Sequence, residues 1–360
     1  MWLKDCWYVA AWDYELKPGE IISRTILNQP VALYRSSDGG LVALEDRCCH
    51  RFAPLSLGRL EADDLRCMYH GLKFDRTGRC IEIPGQDMIP RTACVRTYPV
   101  VQRHSWIWVW MGDRARADAA LIPDAVGMDD PAWRLRAGHI DIDADYRLLN
   151  DNLTDFSHVG FVHARSIGLS DGFSHLLPKV QELERGFRAW RWLPPGTMEP
   201  AGRTAVAAPR DTWQAYRYLA PGVMVMRIAQ FQAGVAERCG GGRPPASEQP
   251  LFDSMTCQAF TPMAERSSRY FFSYGPWARG PGPRAADAMF ESAKAAFLED
   301  KVMVEAQQRM IDLDPTRAEV RIASDTTGMR FRAVMKRLAE AEAAADRTLA
   351  AAAPHSVGEA

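Results

Sequence analysis

Two pairs of cysteine and histidine residues lie close together near the start of this 360-residue chain. Cys48 and His50 form the first pair, and Cys67 and His70 form the second after sixteen intervening residues. Two thiolates and two imidazoles are the ligands of a [2Fe-2S] cluster in which cysteines hold one iron and histidines hold the other. The same four side chains also suit a tetrahedral zinc ion. The residue types therefore predict a metal centre and leave both alternatives open.

A second group of polar residues lies about eighty residues further on, in the segment 146–163. Its members are Asn152, Asp155, His158 and His163. Apolar residues at helical spacing upstream predict that the whole segment is one helix. On an ideal helix, two histidines five positions apart point about 140° away from each other. They converge only if the helix ends or takes a π-type turn between them, and Gly160 is the residue that would permit it. The alternative is a pair of buried core histidines beside a helix end.

Two histidines suit a non-heme Fe(II) ion, but that site also requires a carboxylate. Residues Ala286 to Ile311 have the apolar periodicity of an amphipathic helix. Steps of about 100° per residue place Asp300 inside the apolar stripe, Glu299 well outside it and Glu305 at its edge. A buried carboxylate needs a partner, and a metal ion is a good one. An arginine, a lysine or a backbone donor would be the alternative partner of Asp300.

Several motifs resemble one known family. The sequence around each Cys/His pair, Arg51-Phe52-Ala53-Pro54 and Gly71-Leu72-Lys73-Phe74, is similar to the two loops of Rieske domains. The N-x2-D-x2-H-x4-H pattern of the segment 146–163 is similar to the mononuclear iron site of Rieske oxygenases. Phe297-Leu298-Glu299-Asp300 resembles the segment with the third iron ligand in the vanillate O-demethylase and dicamba monooxygenase group. The resemblance covers most of the chain and favours the [2Fe-2S] cluster over zinc.

The resemblance implies a function and a set of roles. Cys48, His50, Cys67 and His70 would bind the cluster, and His158, His163 and Asp300 would bind Fe(II). Asp155 matches the family's bridging carboxylate, which would bond a cluster histidine, His70, of a neighbouring subunit and His158 of its own chain. Asn152 would orient a ligand or a water molecule. The family's usual assembly is a ring of three subunits, and a separate reductase or ferredoxin supplies its electrons.

The expected reaction is oxidation of an aromatic substrate by O₂. The first hypothesis is O-demethylation of a methoxylated aromatic acid with release of formaldehyde, and the second is hydroxylation of an aryl methyl group or ring. A third hypothesis, a Rieske electron carrier, leaves the second metal site without a use. The polar candidates for substrate binding are Arg227, Gln230 and Gln258.

Composition agrees with an enzyme of this kind. The formal charge of −1 and the isoelectric point near 6.7 give no electrostatic reason to expect nucleic acid. No apolar run has the length of a membrane span, and a cytoplasmic protein is expected. The eight cysteines are irregularly spaced, so the six outside the cluster are expected to be reduced thiols.

The predicted fold class is α+β, with two domains. Residues 1–115 alternate short apolar runs with turns, which is typical of a small all-β domain and here of the Rieske domain. Residues 116–345 are predicted to form the iron domain, an antiparallel sheet with helices on one side. A disordered tail is expected over residues 346–360. The Gly- and Pro-rich segment 235–250 is predicted to be an inserted flexible loop.

Overall fold

The computed structural model describes residues 2–164, 166–167, 171–195, 197 and 208–352. The predicted order of domains and the α+β class are confirmed. The first domain is built from short strands: β1 (Trp7–Trp12), β2 (Ile21–Ile26), β3 (Gln29–Arg35), β4 (Leu41–Glu45), β5 (Arg59–Glu61), β6 (Asp64–Arg66), β7 (Lys73–Phe74), β8 (Cys80–Glu82), β9 (Val100–Arg103) and β10 (Trp106–Trp110). They form three small antiparallel sheets, in the orders β2-β3-β4, β5-β6-β7-β8 and β1-β10-β9.

The second domain is one antiparallel sheet with helices. Its strands are β11 (Arg136–Ile142), β12 (Lys179–Leu183), β13 (Gly186–Leu193), β14 (Arg210–Leu219), β15 (Val223–Gln232), β16 (Phe252–Ala264) and β17 (Ser267–Pro276), in the spatial order β11-β17-β16-β15-β14-β13-β12. Its helices are α1 (Tyr146–Thr154), α2 (Val159–Val162), α3 (Val235–Arg238), α4 (Pro283–Leu313) and α5 (Thr326–Ala352). Within the part of the chain that the structure describes, every helix is too short or too polar to cross a membrane.

The two faces of the large sheet have different neighbours. Side chains alternate between the faces along each strand, so residues paired in register share a face. One face packs against the helices, where Phe272 contacts Phe290 and Phe297 of α4. The other face packs against the first domain, whose strand β10 places Trp106, Trp108 and Trp110 in one apolar cluster with Val225 and Met255. The alternate residues Ile107 and Val109 lie in a different core, which is built mostly from the first domain.

The segment 146–163 is not the single helix that its periodicity predicts. Helix α1 begins after Asp145, whose carboxylate caps it by accepting the N–H of Arg147 at 2.9 Å. It ends before Asp155, which has an extended backbone (φ −119°, ψ 105°). The Asp155 carboxylate then accepts the N–H of Ser157 at 2.7 Å and caps a short 3₁₀ turn, Phe156–His158. Aspartate favours caps over helix interiors because its side chain competes for nearby backbone donors.

Two other predicted regions differ in the structure. The segment 235–250 begins with α3, where Val235 is buried, and Arg238 forms an ion pair with Glu248 at 3.0 Å, so its first part is ordered rather than a flexible loop. Helix α5 continues to Ala352, so residues 346–352 of the predicted disordered tail are helical, and residues 353–360 lie outside the described residues.

Helix α5 returns to the first domain. The Glu342 carboxylate accepts the backbone N–H groups of Lys4 and Asp5 at 2.9 and 3.0 Å. The Arg116 guanidinium forms ion pairs with the carboxylates of Asp346 at 2.6 Å and Asp5 at 2.9 Å. Contacts with the first domain therefore hold the C-terminal part of α5.

Candidate functional site: two metal centres

The first Cys/His pair lies on a tight loop after β4. The Cys48 N–H donates to the Ala53 carbonyl at 2.9 Å, and the Phe52 N–H donates to the Cys48 carbonyl at 2.9 Å. Phe52 has a φ of +60°, where the chain reverses direction. A large residue rarely adopts this conformation, so the surrounding hydrogen bonds must hold it there.

The second loop repeats the hydrogen bonds of the first. The Cys67 N–H donates to the carbonyl five positions on, Leu72, at 2.8 Å, and the Gly71 N–H donates to the Cys67 carbonyl at 3.0 Å. Gly71 has a φ of +78°, at the place that Phe52 occupies in the first loop. A Cβ atom at Gly71 would lie 2.7 Å from a side-chain carbon of Pro84. Glycine is therefore required here by both conformation and space.

The two loops present their ligand-type side chains differently. Cys48 and Cys67 are buried, whereas His50 and His70 are exposed and their ring centroids are 4.5 Å apart. The donor set thus has a thiol side within the fold and an imidazole side at the surface. This division fits a [2Fe-2S] cluster with unequally ligated irons and leaves its histidine end open to an electron-transfer partner.

The second centre lies between the segment after α1 and the middle of α4. Potential ligand atoms of His158, His163 and Asp300 all lie within 4.8 Å of one another. The Asp300 Oδ1 atom is 3.5 Å from Nε2 of His158 and 3.2 Å from Nε2 of His163. Two imidazoles and one carboxylate are the donor set of a non-heme Fe(II) site with open positions for oxygen. The structure thus brings together the three residues that the sequence nominates.

The remaining ring nitrogen of each histidine has a partner of its own. Nδ1 of His158 is 2.6 Å from the main-chain carbonyl of Asp155, and Nδ1 of His163 is 2.9 Å from Oε2 of Glu299. The Ser166 hydroxyl donates to the same Glu299 oxygen at 2.6 Å. Partners of this kind fix the ring orientation and direct the other nitrogen towards a metal. Both Nε2 atoms accordingly face Asp300.

The electrostatic surroundings of the two histidines differ. Burial lowers the pKa of His158, and the nearby charge of Asp300 only partly opposes this effect. Burial also disfavours protonation of His163, but Asp300 and Glu299 outweigh it and raise the pKa of this histidine. The pair of adjacent carboxylates on α4 therefore makes His163 the more basic of the two rings.

Asn152 and Asp155 lie at this centre in different ways. The Asn152 amide donates to Oδ1 of Asp300 at 3.0 Å, so it contacts one of the three clustered residues directly. The predicted contact between the Asp155 carboxylate and His158 is not formed. The Asp155 main-chain carbonyl contacts His158 instead, because the carboxylate turns back to cap the next turn.

The three predicted substrate residues are not brought together. Arg227 lies on the sheet face that packs away from the helices, and its guanidinium is bound by Asp253 at 2.5 Å. Gln230 is near the end of β15 and accepts a hydrogen bond from Arg210 at 2.9 Å. Gln258 alone is buried on the helix-facing side, where it accepts the hydroxyl of Tyr270.

Sequence reasoning missed two residues near the second centre. Helical periodicity places Glu299 outside the apolar stripe and so argues against it as a ligand, yet this position lets it reach His163 from the flank of α4. Its only sequence signal is its place next to Asp300. The other residue is Arg191 of β13, which is buried although it is charged. A charged residue between apolar and aromatic neighbours, Ala189-Trp190-Arg191-Trp192-Leu193, was the available signal.

Comparisons with known proteins agree with this geometry. Residues 6–99 match the Rieske [2Fe-2S] domain model, and residues 142–341 match the vanillate O-demethylase oxygenase C-terminal domain model. The chain is 38% identical to a toluene-4-sulfonate monooxygenase system iron-sulfur subunit of Comamonas testosteroni, with 95% of this chain and 98% of that protein covered. It is 36% identical to the dicamba O-demethylase oxygenase component of Stenotrophomonas maltophilia, with 95% and 99% covered.

A solved structure gives the same result. The crystal structure of dicamba monooxygenase bound to dicamba superposes with a TM-score of 0.82 at 34% identity, and 95% of this chain and 99% of that chain are covered. An all-β cluster domain, joined to an antiparallel sheet whose covering helical segments carry a His/His/Asp group, defines the class of Rieske non-heme iron oxygenases. Within that class, this chain belongs to the family of the vanillate O-demethylase and dicamba monooxygenase oxygenase components.

Membership of the family decides the alternatives that the residue types left open. The cofactors are a Rieske [2Fe-2S] cluster and a mononuclear non-heme iron, and the chain is the terminal oxygenase component of a Rieske monooxygenase. The zinc and electron-carrier alternatives are therefore set aside. The relatives are themselves named as components or subunits of larger systems.

Proposed function

We propose that this oxygenase hydroxylates a methyl group carried by an aromatic acid, and that the first candidate is a methoxy group. The proposal rests on the grouping of His158, His163 and Asp300 on the helix side of the large sheet. Hydroxylation of an O-methyl carbon gives a hemiacetal, which breaks down to a phenol and formaldehyde. The dicamba and vanillate relatives are named for O-demethylation, which supports this candidate.

One observation favours a second candidate, an aryl methyl group. A relative 38% identical over 347 residues is named for toluene-4-sulfonate, whose methyl group is bonded to the ring. The same hydroxylation would then give a stable benzylic alcohol. The two candidates share their chemistry up to the oxidised methyl carbon and differ in whether that carbon leaves as formaldehyde.

The residues have separate roles in this proposal. Cys48, His50, Cys67 and His70 would hold the cluster, and His158, His163 and Asp300 would hold Fe(II), which supplies oxygen activation when bound. Asn152 fixes the Asp300 carboxylate through its amide hydrogen bond. Glu299 and the Asp155 carbonyl hold the two imidazoles, so that their Nε2 atoms stay directed towards one point.

Asp155 is proposed to relay electrons between subunits. Its carboxylate is only partly buried, and its own backbone carbonyl contacts His158. A partner's exposed cluster histidine would bond that carboxylate, and three chains in a closed ring would satisfy each such contact. The exposed side chains beside the cluster histidines support a partner surface, since Phe52 and Tyr69 are 71% and 63% exposed.

A separate reductase or ferredoxin is proposed as the electron donor. No Gly-rich dinucleotide fingerprint follows a strand in the sequence, so the chain has no evident site for a nicotinamide cofactor. The purified chain should therefore be inactive with NADH alone. Turnover on addition of a surrogate reductase is the expected result.

The test is a substrate screen with that reductase. Methoxylated benzoates and methylated arenesulfonates are supplied, and NADH consumption, formaldehyde and hydroxylated products are measured. Formaldehyde in step with substrate loss supports O-demethylation, and a benzylic alcohol without formaldehyde supports the second candidate. Oxidation confined to ring carbons would contradict both.

A further inference from the structure

Arg191 is a buried charge on the same sheet face as the iron centre. Arg191 is 8% exposed and lies in the second half of the strand β13. The residues two positions away on either side, Ala189 and Leu193, are both buried in cores on the helix-facing side. Because side chains alternate along a strand, Arg191 faces the helices and the iron-binding segment.

The hydrogen-bond partners of the guanidinium are neutral groups. Its Nε atom donates to Oε1 of Gln214 at 2.6 Å, and Nη1 donates to the Leu176 carbonyl at 2.7 Å. The group lies over the Phe173 ring, 4.1 Å from its centroid. Nη2 is buried and has no hydrogen-bond partner among the described residues. The Arg191 guanidinium therefore keeps an unused donor inside the protein.

No carboxylate within the described parts of the chain forms an ion pair with Arg191. Arg24 and Arg227, by contrast, have Glu15 at 3.0 Å and Asp253 at 2.5 Å. Burial lowers the pKa of Arg191 to about 10, so the group stays protonated at neutral pH. The charge of Asp155 attracts the Arg191 cation from nearby without forming an ion pair with it. A buried cation without a contacting counter-ion is costly, and an anionic ligand would reduce that cost.

The surroundings of Arg191 connect it with the iron centre. The guanidinium is 5.7 Å from the ring of Phe156, which lies between Asp155 and His158 in the sequence. Phe156 packs edge-on against Tyr216 at 5.1 Å. Gln214 and Tyr216 share the helix-facing side of β14. The cation thus lies beside aromatic side chains, against the segment that carries an iron-binding histidine.

We propose that Arg191, held in place by Gln214, binds the carboxylate or sulfonate group of the aromatic substrate. The inference rests on the proposed function for the aromatic part of that substrate. Nη2 donates to an anion oxygen in a charge-assisted hydrogen bond, while the stacked aromatic side chains hold the guanidinium. Arg191 replaces Arg227 as the arginine that selects an acid.

The experiment measures binding without turnover. Iron-loaded protein is titrated anaerobically in a calorimeter with 4-methoxybenzoate, 4-methoxybenzamide, toluene-4-sulfonate and toluene-4-sulfonamide. Each acid is compared with its neutral amide, so the ratio of the two dissociation constants isolates the charge. A hydrogen bond to a charged group leads us to expect that the wild type binds the preferred acid about 10- to 100-fold more tightly than its amide.

Arg191→Met should bring that ratio close to one while leaving amide binding nearly unchanged. The matched control is Arg188→Met, on the same strand with an exposed side chain, and it should keep the wild-type ratio. Gln214→Glu is the second variant, because a carboxylate beside Arg191 pairs with it and competes with the ligand. It should weaken acid binding even if Arg191→Met fails to fold.

The proposal is wrong if the wild type binds neither acid more tightly than its amide. It is equally wrong if the ratio in Gln214→Glu, or in a folded Arg191→Met, stays within about twofold of wild type, well below the expected discrimination. The carboxylate and sulfonate pairs separate the two anion types. If Arg191→Met loses the preference for the acid but the wild type forms no hydroxylated product, only the proposed function is contradicted. If the wild type forms the product but Arg191→Met keeps the wild-type preference for the acid, only the role of Arg191 is contradicted.

Discussion

The two metal centres of this oxygenase are assembled in opposite ways. The cluster residues lie on two short loops, each closed by its own backbone hydrogen bonds between positions four and five residues apart. The iron residues come from two segments about 140 positions apart in the chain, and they meet only because α4 packs beside the segment after α1. The first centre is therefore a local structure, whereas the second depends on tertiary packing.

The comparison is tested most strongly at the cluster. Cys48→Ser should remove the cluster and all turnover, since the site needs all four ligands. Iron and acid-labile sulfide analysis and the visible spectrum measure the loss. Cys94→Ser is the control, because Cys94 is exposed and lies outside both loops. A brown, sulfide-containing Cys48→Ser protein would contradict the ligand assignment.

The iron centre should be lost separately from the cluster. Asp300→Ala should abolish mononuclear iron and turnover but leave the cluster spectrum intact, because the two centres share no ligand. Iron content and the visible spectrum of the same sample provide the measurement. Glu305→Ala, five positions on in α4, is the control. If Asp300→Ala keeps iron and activity while Glu299→Ala or Glu305→Ala loses both, the third ligand is misassigned.

Substitution of Asp155, the proposed relay residue, should leave both metal centres occupied. Asp155→Asn should keep both and slow the transfer of electrons between them by orders of magnitude, because the amide removes the charge of the proposed relay. An asparagine can still accept the N–H of Ser157, so the cap is retained. Single-turnover oxidation of the reduced cluster gives the rate. A rate like that of the wild type would contradict the relay, and so would a fully active monomer.

The smallest effect is expected at the partner of His163. Glu299→Gln should weaken iron binding by about tenfold, since it keeps the shape but removes the charge that orients this histidine. Iron affinity is measured by competition with a chelator. Glu291→Gln, an exposed position on the same helix, should have no effect. An unchanged affinity in Glu299→Gln would mean that packing alone holds the His163 ring.

The same contrast explains what the sequence could predict. The cluster loops and the burial of Asp300 follow from short motifs and helical periodicity, and the structure contains both. The break at Asp155 could not be predicted from periodicity, because Val159 and Val162 continue the apolar pattern past it while a single side-chain cap interrupts the helix. The sequence alone could not decide whether Arg191 or Arg227 is the better candidate to bind the acid group of the substrate. That decision depends on which face of each strand packs against the helices, and only the folded sheet shows this.

The tryptophan-rich contact between the domains has a consequence for expressing the first domain alone. Trp106, Trp108 and Trp110 share one apolar cluster with Val225 and Met255 of the large sheet. A fragment cut near residue 115 would expose this surface to water, and the remaining sheet would lose the cover of one face. The cluster domain should therefore be poorly soluble when it is expressed without the iron domain, although each has its own metal and its own architecture.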